Sequence, residues 1–231
     1  MPGRGFPSGA RPARRPAAPL TVYGRATSSN VQAVMWGIAE LGLECERLDY
    51  GHAFGGTDTP EFRAMNPNGL VPVLRDGSLV MFESCAILRY LAGRYGSSPF
   101  WPEDPVARAP VDMWAEWGKA TFARDFYVVV GQMIWTPAAN RDPAVLDAAL
   151  ERVDAHLAVL EAQLGENPFV LGGDLTLADI VVGHLLYRYF TFDITRPDRR
   201  RLAAYYRRLC ERPAYAEHVM VAYDALRIKG E

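Results

Sequence analysis

Three short stretches carry residues whose types and spacing could do chemistry. The first is "FES", Phe82-Glu83-Ser84, where an apolar run gives way to a helical pattern. A helix N-terminus presents unpaired N–H groups and a partial positive charge, so it can receive a carboxylate, and the Ser84 hydroxyl would add a donor. Glu83 beside it suits an ammonium. Together they could grip a free amino-acid head group; on these residues alone, the simpler reading is a plain N-cap and a solvated charge. The second stretch is "TSSN", Thr27 to Asn30, at the mouth of the first helical pattern. Its hydroxyls and N–H groups could stabilise an anion, a thiolate included, or simply cap the helix. The third is "NPNGLVPVL", Asn66 to Leu74, in which Pro72 interrupts an apolar run. Proline has no N–H to give to a sheet. If the Val71–Pro72 bond is cis, Val71 keeps its N–H and C=O free to pair with a peptide-like ligand; a trans bond, the commoner isomer, would merely open a strand.

Other chemistries find little support. The three cysteines, Cys45, Cys85 and Cys210, are far apart and form no CxxC, so neither a zinc pair nor a dithiol motif is available. A reducing, cytoplasmic setting is expected. His52, His156, His184 and His218 are not paired at helical ligand spacing, so no metal is expected. The formal net charge of −2 gives no support to a nucleic-acid or anionic-membrane partner. No apolar run approaches the ~18–20 residues that a membrane span needs. Walker, Rossmann and local Ser/His/Asp signatures are missing.

The elements that must position these stretches fall into two halves. Residues 1–19, with five prolines, four arginines and no acid, read as a disordered basic tail. "LTVYG" then predicts a strand, and "VQAVMWGIAELGL" sets Val31, Val34, Met35, Ile38 and Leu41 on one helical face. "ECERLDY" predicts a strand, and "PEFRAMN" a short helix with Pro60 in its first turn. "VPVLRDGSLVMF" holds two strands joined by Asp76-Gly77, a hairpin signal. "ESCAILRYLAGRYG" closes the half as a helix. The order over 20–96 is β-α-β-α-β-β-α. After a linker at 97–104, residues 105–231 show helical patterns only. These comprise an aromatic-rich helix or helix pair over 103–135, a strongly periodic helix over 142–164, one helix in "TLADIVVGHLLYRYF", and two more divided at Pro213. The fold class is α+β followed by all-α.

These residues in this order resemble the glutathione transferase family. Strand-"SSN"-helix, then "NPNGLVPVL", then "DGSLVMFESCAILRYLA" look like its thioredoxin-like N-terminal domain with a mixed four-stranded sheet. "GGDLTLADIVVGHLLY" looks like its C-terminal-domain motif, with Thr176 and Asp179 as a helix capping box. The resemblance covers about residues 20–225. It implies a cis-Pro72, with the Val71 backbone pairing the cysteinyl unit of glutathione, and Glu83 and Ser84 holding the γ-glutamyl end. It implies that a residue of "TSSN" hydrogen-bonds the glutathione sulfur and lowers its pKa: Ser28 first, then Ser29 or Asn30, with Tyr23 at the end of the first strand as the alternative. Cysteine-type members keep a cysteine at this helix start and isomerase-like members a Ser-Ser-Cys run; here Asn30 stands in its place.

The resemblance places an apolar electrophile between the halves, against Trp114, Trp117, Phe122, Arg124, Phe126, Tyr127 and Trp135, although such aromatics also build helix–helix cores. Phe54, in the loop "GHAFGG", is expected to approach the glycine end of glutathione or a dimer partner. The implied protein is a cytoplasmic homodimer that uses glutathione as substrate and no metal. A scaffold protein of the same fold without turnover, or a glutathione-dependent isomerase, dehalogenase or peroxidase, is the alternative.

Overall fold

The computed structural model describes residues 15–228. Residues 1–14 of the expected basic tail and residues 229–231 of the helical half lie outside the described residues. The first half has the predicted order: β1 Leu20–Tyr23, α1 Ser29–Glu40, β2 Cys45–Leu48, α2 Pro60–Met65, β3 Val73–Asp76, β4 Leu79–Phe82 and α3 Ser84–Tyr95. The sheet runs β2-β1-β3-β4; β1 is parallel to β2 and antiparallel to β3, and β3 and β4 form the hairpin. The mixed four-stranded sheet is the one the family resemblance implied. In β1, Leu20 and Val22 are wholly buried while Thr21 and Tyr23 face outward, the alternation of a one-sided strand. At the hairpin turn Gly77 takes φ 59, a left-handed conformation that costs glycine little.

Helix α1 is buried from Val31 to Ile38, since the sheet and the helical half enclose it. It packs so closely on α3 that a Cβ at Gly37 would lie 2.4 Å from Leu88 Cδ2. The Val71–Pro72 bond is cis, and so is Ser98–Pro99 in the connection to the second half.

Among the described residues, helices make up the regular structure of the second half apart from an isolated bridge between Phe169 and Gly172. Helix α4 (Pro105–Trp117) is capped by Asp104, whose Oδ2 accepts from the Ala107 N–H at 2.8 Å. It passes through a π-helical turn, Gly118–Phe122, into α5 (Ala123–Val130) and ends in a second π turn, Gly131–Trp135. The expected helix or helix pair is therefore one run whose facing is reset twice. Helix α6 (Pro143–Leu164) buries Ala149, Val153, Leu157, Leu160 and Leu164, a stripe at three- and four-residue steps. Helix α7 (Leu177–Gly183) and α8 (Leu186–Thr191) replace the single helix expected over this segment. The chain turns at His184–Leu185, where Arg188 must be carried toward the first half. Helices α9 (Arg200–Cys210) and α10 (Pro213–His218) divide at Pro213 as expected.

Asp179 anchors the start of α7. Wholly buried, it accepts from Thr176 N (2.8 Å), Thr176 Oγ1 (3.0 Å), Val170 N (2.9 Å) and Tyr205 Oη (3.0 Å). Burial raises its pKa, and these donors work against that rise. The halves meet where α1 and α3 pack on α7, and where Arg212 Nε and Trp36 Nε1 donate to Glu40 Oε1 at 2.7 and 2.8 Å. Among the described residues no helix is long and apolar enough to cross a membrane.

Candidate active site

Ser28 is the N-cap of α1, with extended backbone (φ −81, ψ 121), and its C=O accepts the first helical bond from Gln32 N at 2.8 Å. Its hydroxyl makes no capping bond. The N-terminus of α1 opens onto a cleft of about 370 Å³ lined by Arg25, Thr27 to Asn30, Gly51, His52, Thr57, Gly69 to Val71, Tyr127, Trp135, Arg188 and Leu226. Val71 borders this cleft, and neither its N–H nor its C=O has a protein partner among the described residues, because the β1–β3 ladder starts only at Val73. Glycine at position 24 lets the pieces meet: its φ is 154, and a Cβ would lie 2.5 Å from Val31 Cγ2 and 3.1 Å from Val71 Cβ.

A polar network joins the two halves here. Asn30 Oδ1 accepts from Ser84 Oγ at 3.1 Å, from Lys119 Nζ at 3.0 Å and from Tyr127 Oη at 3.4 Å. Lys119 Nζ is also 3.5 Å from Ser84 Oγ, and the Ser29 and Tyr127 hydroxyls are 2.9 Å apart. With the Asn30 oxygen so occupied, its NH₂ is the group left to donate. Ser84 is buried at the first position of α3. Glu83 precedes it at φ 71, a left-handed conformation that costs a residue with a side chain about 1–3 kcal/mol. The strained turn from β4 into α3 leaves the Glu83 carboxylate exposed beside Ser84.

The expected residues are brought together unevenly. Ser28, Ser29, Asn30, Val71 and Tyr127 share the cleft, and Ser84 joins it through Asn30. Tyr23 does not: it stays in β1 with its ring edge on Tyr50 at 5.4 Å. Phe54 is 59% exposed and does not line the cleft, although Gly51 and His52 of the same loop do. Of the aromatic set, only Tyr127 and Trp135 reach the cleft. Phe122 and Phe126 are wholly buried and stacked at 5.7 Å, Trp114 packs edge-on to Trp117 at 5.0 Å, and Trp117 stacks on Phe122, so these four form helix core. Arg124 extends toward Asp125 instead. Cys85 is buried in α3, and desolvation pushes its thiol pKa up, away from reactivity. All three cysteines are free, and no cluster of His, Cys, Asp or Glu that could hold a metal occurs among the described residues.

Three cations at the site escaped the sequence reading: Arg25, Lys119 and Arg188. Arg188 is 2% exposed and donates from Nη2 to the Thr27 carbonyl at 2.6 Å. A lone arginine inside the apolar run "HLLYRYF" was a usable signal, since a buried charge has to answer to something. Lys119 gave no such sign, because the π turn that aims it has no sequence signature beyond Gly118.

Comparison with known proteins agrees with this fold. Residues 18–93 match the family model of the glutathione S-transferase N-terminal domain, and residues 143–208 that of the C-terminal domain. The chain is 36% identical over 204 residues to glutathione S-transferase GstB of Escherichia coli, covering 87% of this chain and 98% of the relative. It is 31% identical to glutathione S-transferase F13 of Arabidopsis thaliana, covering 85% and 93%. The crystal structure of a theta class glutathione S-transferase from Xanthomonas axonopodis pv. citri, with glutathione bound, superposes with a TM-score of 0.84 at 43% identity over 90% of this chain and 99% of that one. A thioredoxin-like domain with a cis-proline, followed by a helical domain, and these matches along nearly the whole described chain place the protein in the glutathione S-transferase family.

Proposed function

We propose that this chain binds glutathione in the cleft at the α1 N-terminus, lowers the pKa of its thiol, and directs the thiolate at a carbon electrophile held against Tyr127 and Trp135. The unspent N–H and C=O of Val71 carry this reading, since they offer a two-bond ladder to the cysteinyl unit. Ser84, the start of α3 and Lys119 take the γ-glutamyl carboxylate, and the exposed Glu83 takes its ammonium. Ser28 stabilises the sulfur, with the Asn30 NH₂ beside it. Ser29 already shares its hydroxyl with Tyr127 and instead braces the site. Once formed, the thiolate attacks directly, so no proton relay is needed.

A scaffold role is disfavoured because the Ser28 hydroxyl and the Val71 N–H and C=O remain uncommitted to the fold. We also propose a homodimer, supported by exposed Val80 on β4 and by Val106 and Met113 on α4; sedimentation velocity showing a monomer at micromolar concentration would remove that proposal. Calorimetry tests the site itself. Glutathione should bind, and Ser84→Ala or Glu83→Ala should each weaken binding about tenfold or more, as expected for a lost hydrogen bond to a charged group. Undiminished affinity in both variants would refute the assignment.

A further inference from the structure

The proposed glutathione site leaves one cation without a task. Glutathione carries two carboxylates. One falls to Ser84 and Lys119. The other falls toward Arg25, whose Nη1 lies over the loop at Gly51 so closely that a Cβ there would be 3.2 Å away. Arg188 remains. Its guanidinium is buried, held by the Thr27 carbonyl at 2.6 Å and lying 5.6 Å from the centre of the Tyr223 ring. Its Nε is buried without a partner among the described residues. The ionisable groups that bear on it are Tyr127, Tyr223 and Arg25, none of them a carboxylate, and neither Asp nor Glu lines the cleft. Burial accordingly presses against its charge.

A buried guanidinium with an idle N–H and no counter-charge is costly to the fold. A neutral donor would satisfy Thr27 as well, so packing alone does not call for arginine here. Thr27 directly precedes Ser28, which sets this cation beside the place proposed for the sulfur. A carboxylate brought next to a thiolate is repelled, and a guanidinium at that point offsets the repulsion. We infer that Arg188 anchors a carboxylate on the second substrate, so that the electrophile is a small organic acid with its reacting carbon near the carboxylate; this rests on the glutathione reading above. For a 2-haloacid the balance is simple. The thiol proton is released to solvent, the sulfur lone pair forms the C–S bond, and the C–halogen bond breaks with halide leaving as the anion. No oxidant or reductant enters. Trp135 and Leu226 leave apolar room for a short carbon chain.

The test uses pairs that differ only in charge. With the full chain, calorimetry first establishes glutathione binding, then compares S-carboxymethylglutathione with S-carbamoylmethylglutathione. The acid should bind roughly tenfold or more tightly than the amide, the value of a charge-assisted hydrogen bond. In turnover, the ratio of kcat/KM for iodoacetate to that for iodoacetamide should fall about ten- to hundredfold in Arg188→Met. Equal affinities for the two thioethers, or an unchanged ratio in the folded variant, would overturn the inference and leave the glutathione site standing. Failure of glutathione itself to bind would overturn both. If Arg188→Met does not fold, the thioether pair on the parent protein decides alone.

Discussion

Replacing Ser28 with alanine tests most directly how the cleft would activate a thiol. Ser28 is 9% exposed as a residue and lines the cleft, and its hydroxyl caps nothing, so the O–H is available to a sulfur bound at the α1 N-terminus. A hydrogen bond to a charged acceptor is worth about 1.5–3 kcal/mol. One pKa unit corresponds to 1.36 kcal/mol, so the missing bond should raise the thiol pKa by about 1–2 units. A free thiol near pKa ~8.5 is only ~3% ionised at pH 7. Lowered to ~7 it would be about half ionised, and Ser28→Ala would return most of that gain. The thiolate absorbs in the ultraviolet, so a pH titration of the complex reads the shift, and turnover at pH 7 should fall about tenfold. A parent complex titrating like free glutathione would sink the mechanism. If the parent is shifted, Ser28→Ala keeps that shift and Asn30→Ala loses it, the donor is the Asn30 amide and the reasoning from the idle hydroxyl fails.

Two further outcomes follow from buried polar groups. Asp179→Ala would leave four donors without their acceptor, at a cost of about 3–5 kcal/mol in urea unfolding. Asp104→Ala, which removes an exposed cap, should cost only ~0.5–2 kcal/mol, and comparable losses in the two would contradict the ranking. His184 is wholly buried near Lys119 and Arg188, and desolvation holds its pKa down to about 3, against an ordinary value of 6.5. Below pH 6.5 the unfolded chain takes up a proton there that the folded chain refuses, so stability falls with pH down to about 3 and is flat above 6.5 on this account. The slope from this one group is about 1.4 kcal/mol per pH unit. His184→Leu should flatten the acid limb by that amount; a limb as steep as the parent's would mean that His184 charges within the fold.

Local chemistry made most of the fold legible. Asp76-Gly77 announced the hairpin, Pro60 a helix start, and Thr176 with Asp179 a capping box, because each acts on its immediate neighbours. The cis bond at Pro72 was legible only through the family resemblance, since the residues alone favoured trans. What escaped was long-range. Lys119 and Asn30 are 89 residues apart and Arg188 and Thr27 are 161 apart, and no periodicity brings such pairs together. The aromatics from Trp114 to Phe126 span the π turn at Gly118–Phe122, which shifts the helix face without a sequence signature beyond Gly118, and they pack into the helix core. Of the expected aromatics, Tyr127, one residue beyond Phe126, and Trp135, in the second π turn, line the cleft.

The packing at Gly24 bears on how this site can change over time. The end of β1, the first turn of α1 and the segment before Pro72 close on a single missing side chain. Any methyl added there would displace Val31 or Val71, and with them the sulfur end and the backbone ladder together. Variation in the glutathione half is therefore tied to one knot of van der Waals contact, whereas Trp135 and Arg188 hang from separate turns of the other half, outside the Asn30 network, and can be exchanged one at a time. New substrates should be acquired through the helical half, with the glutathione grip inherited as a block.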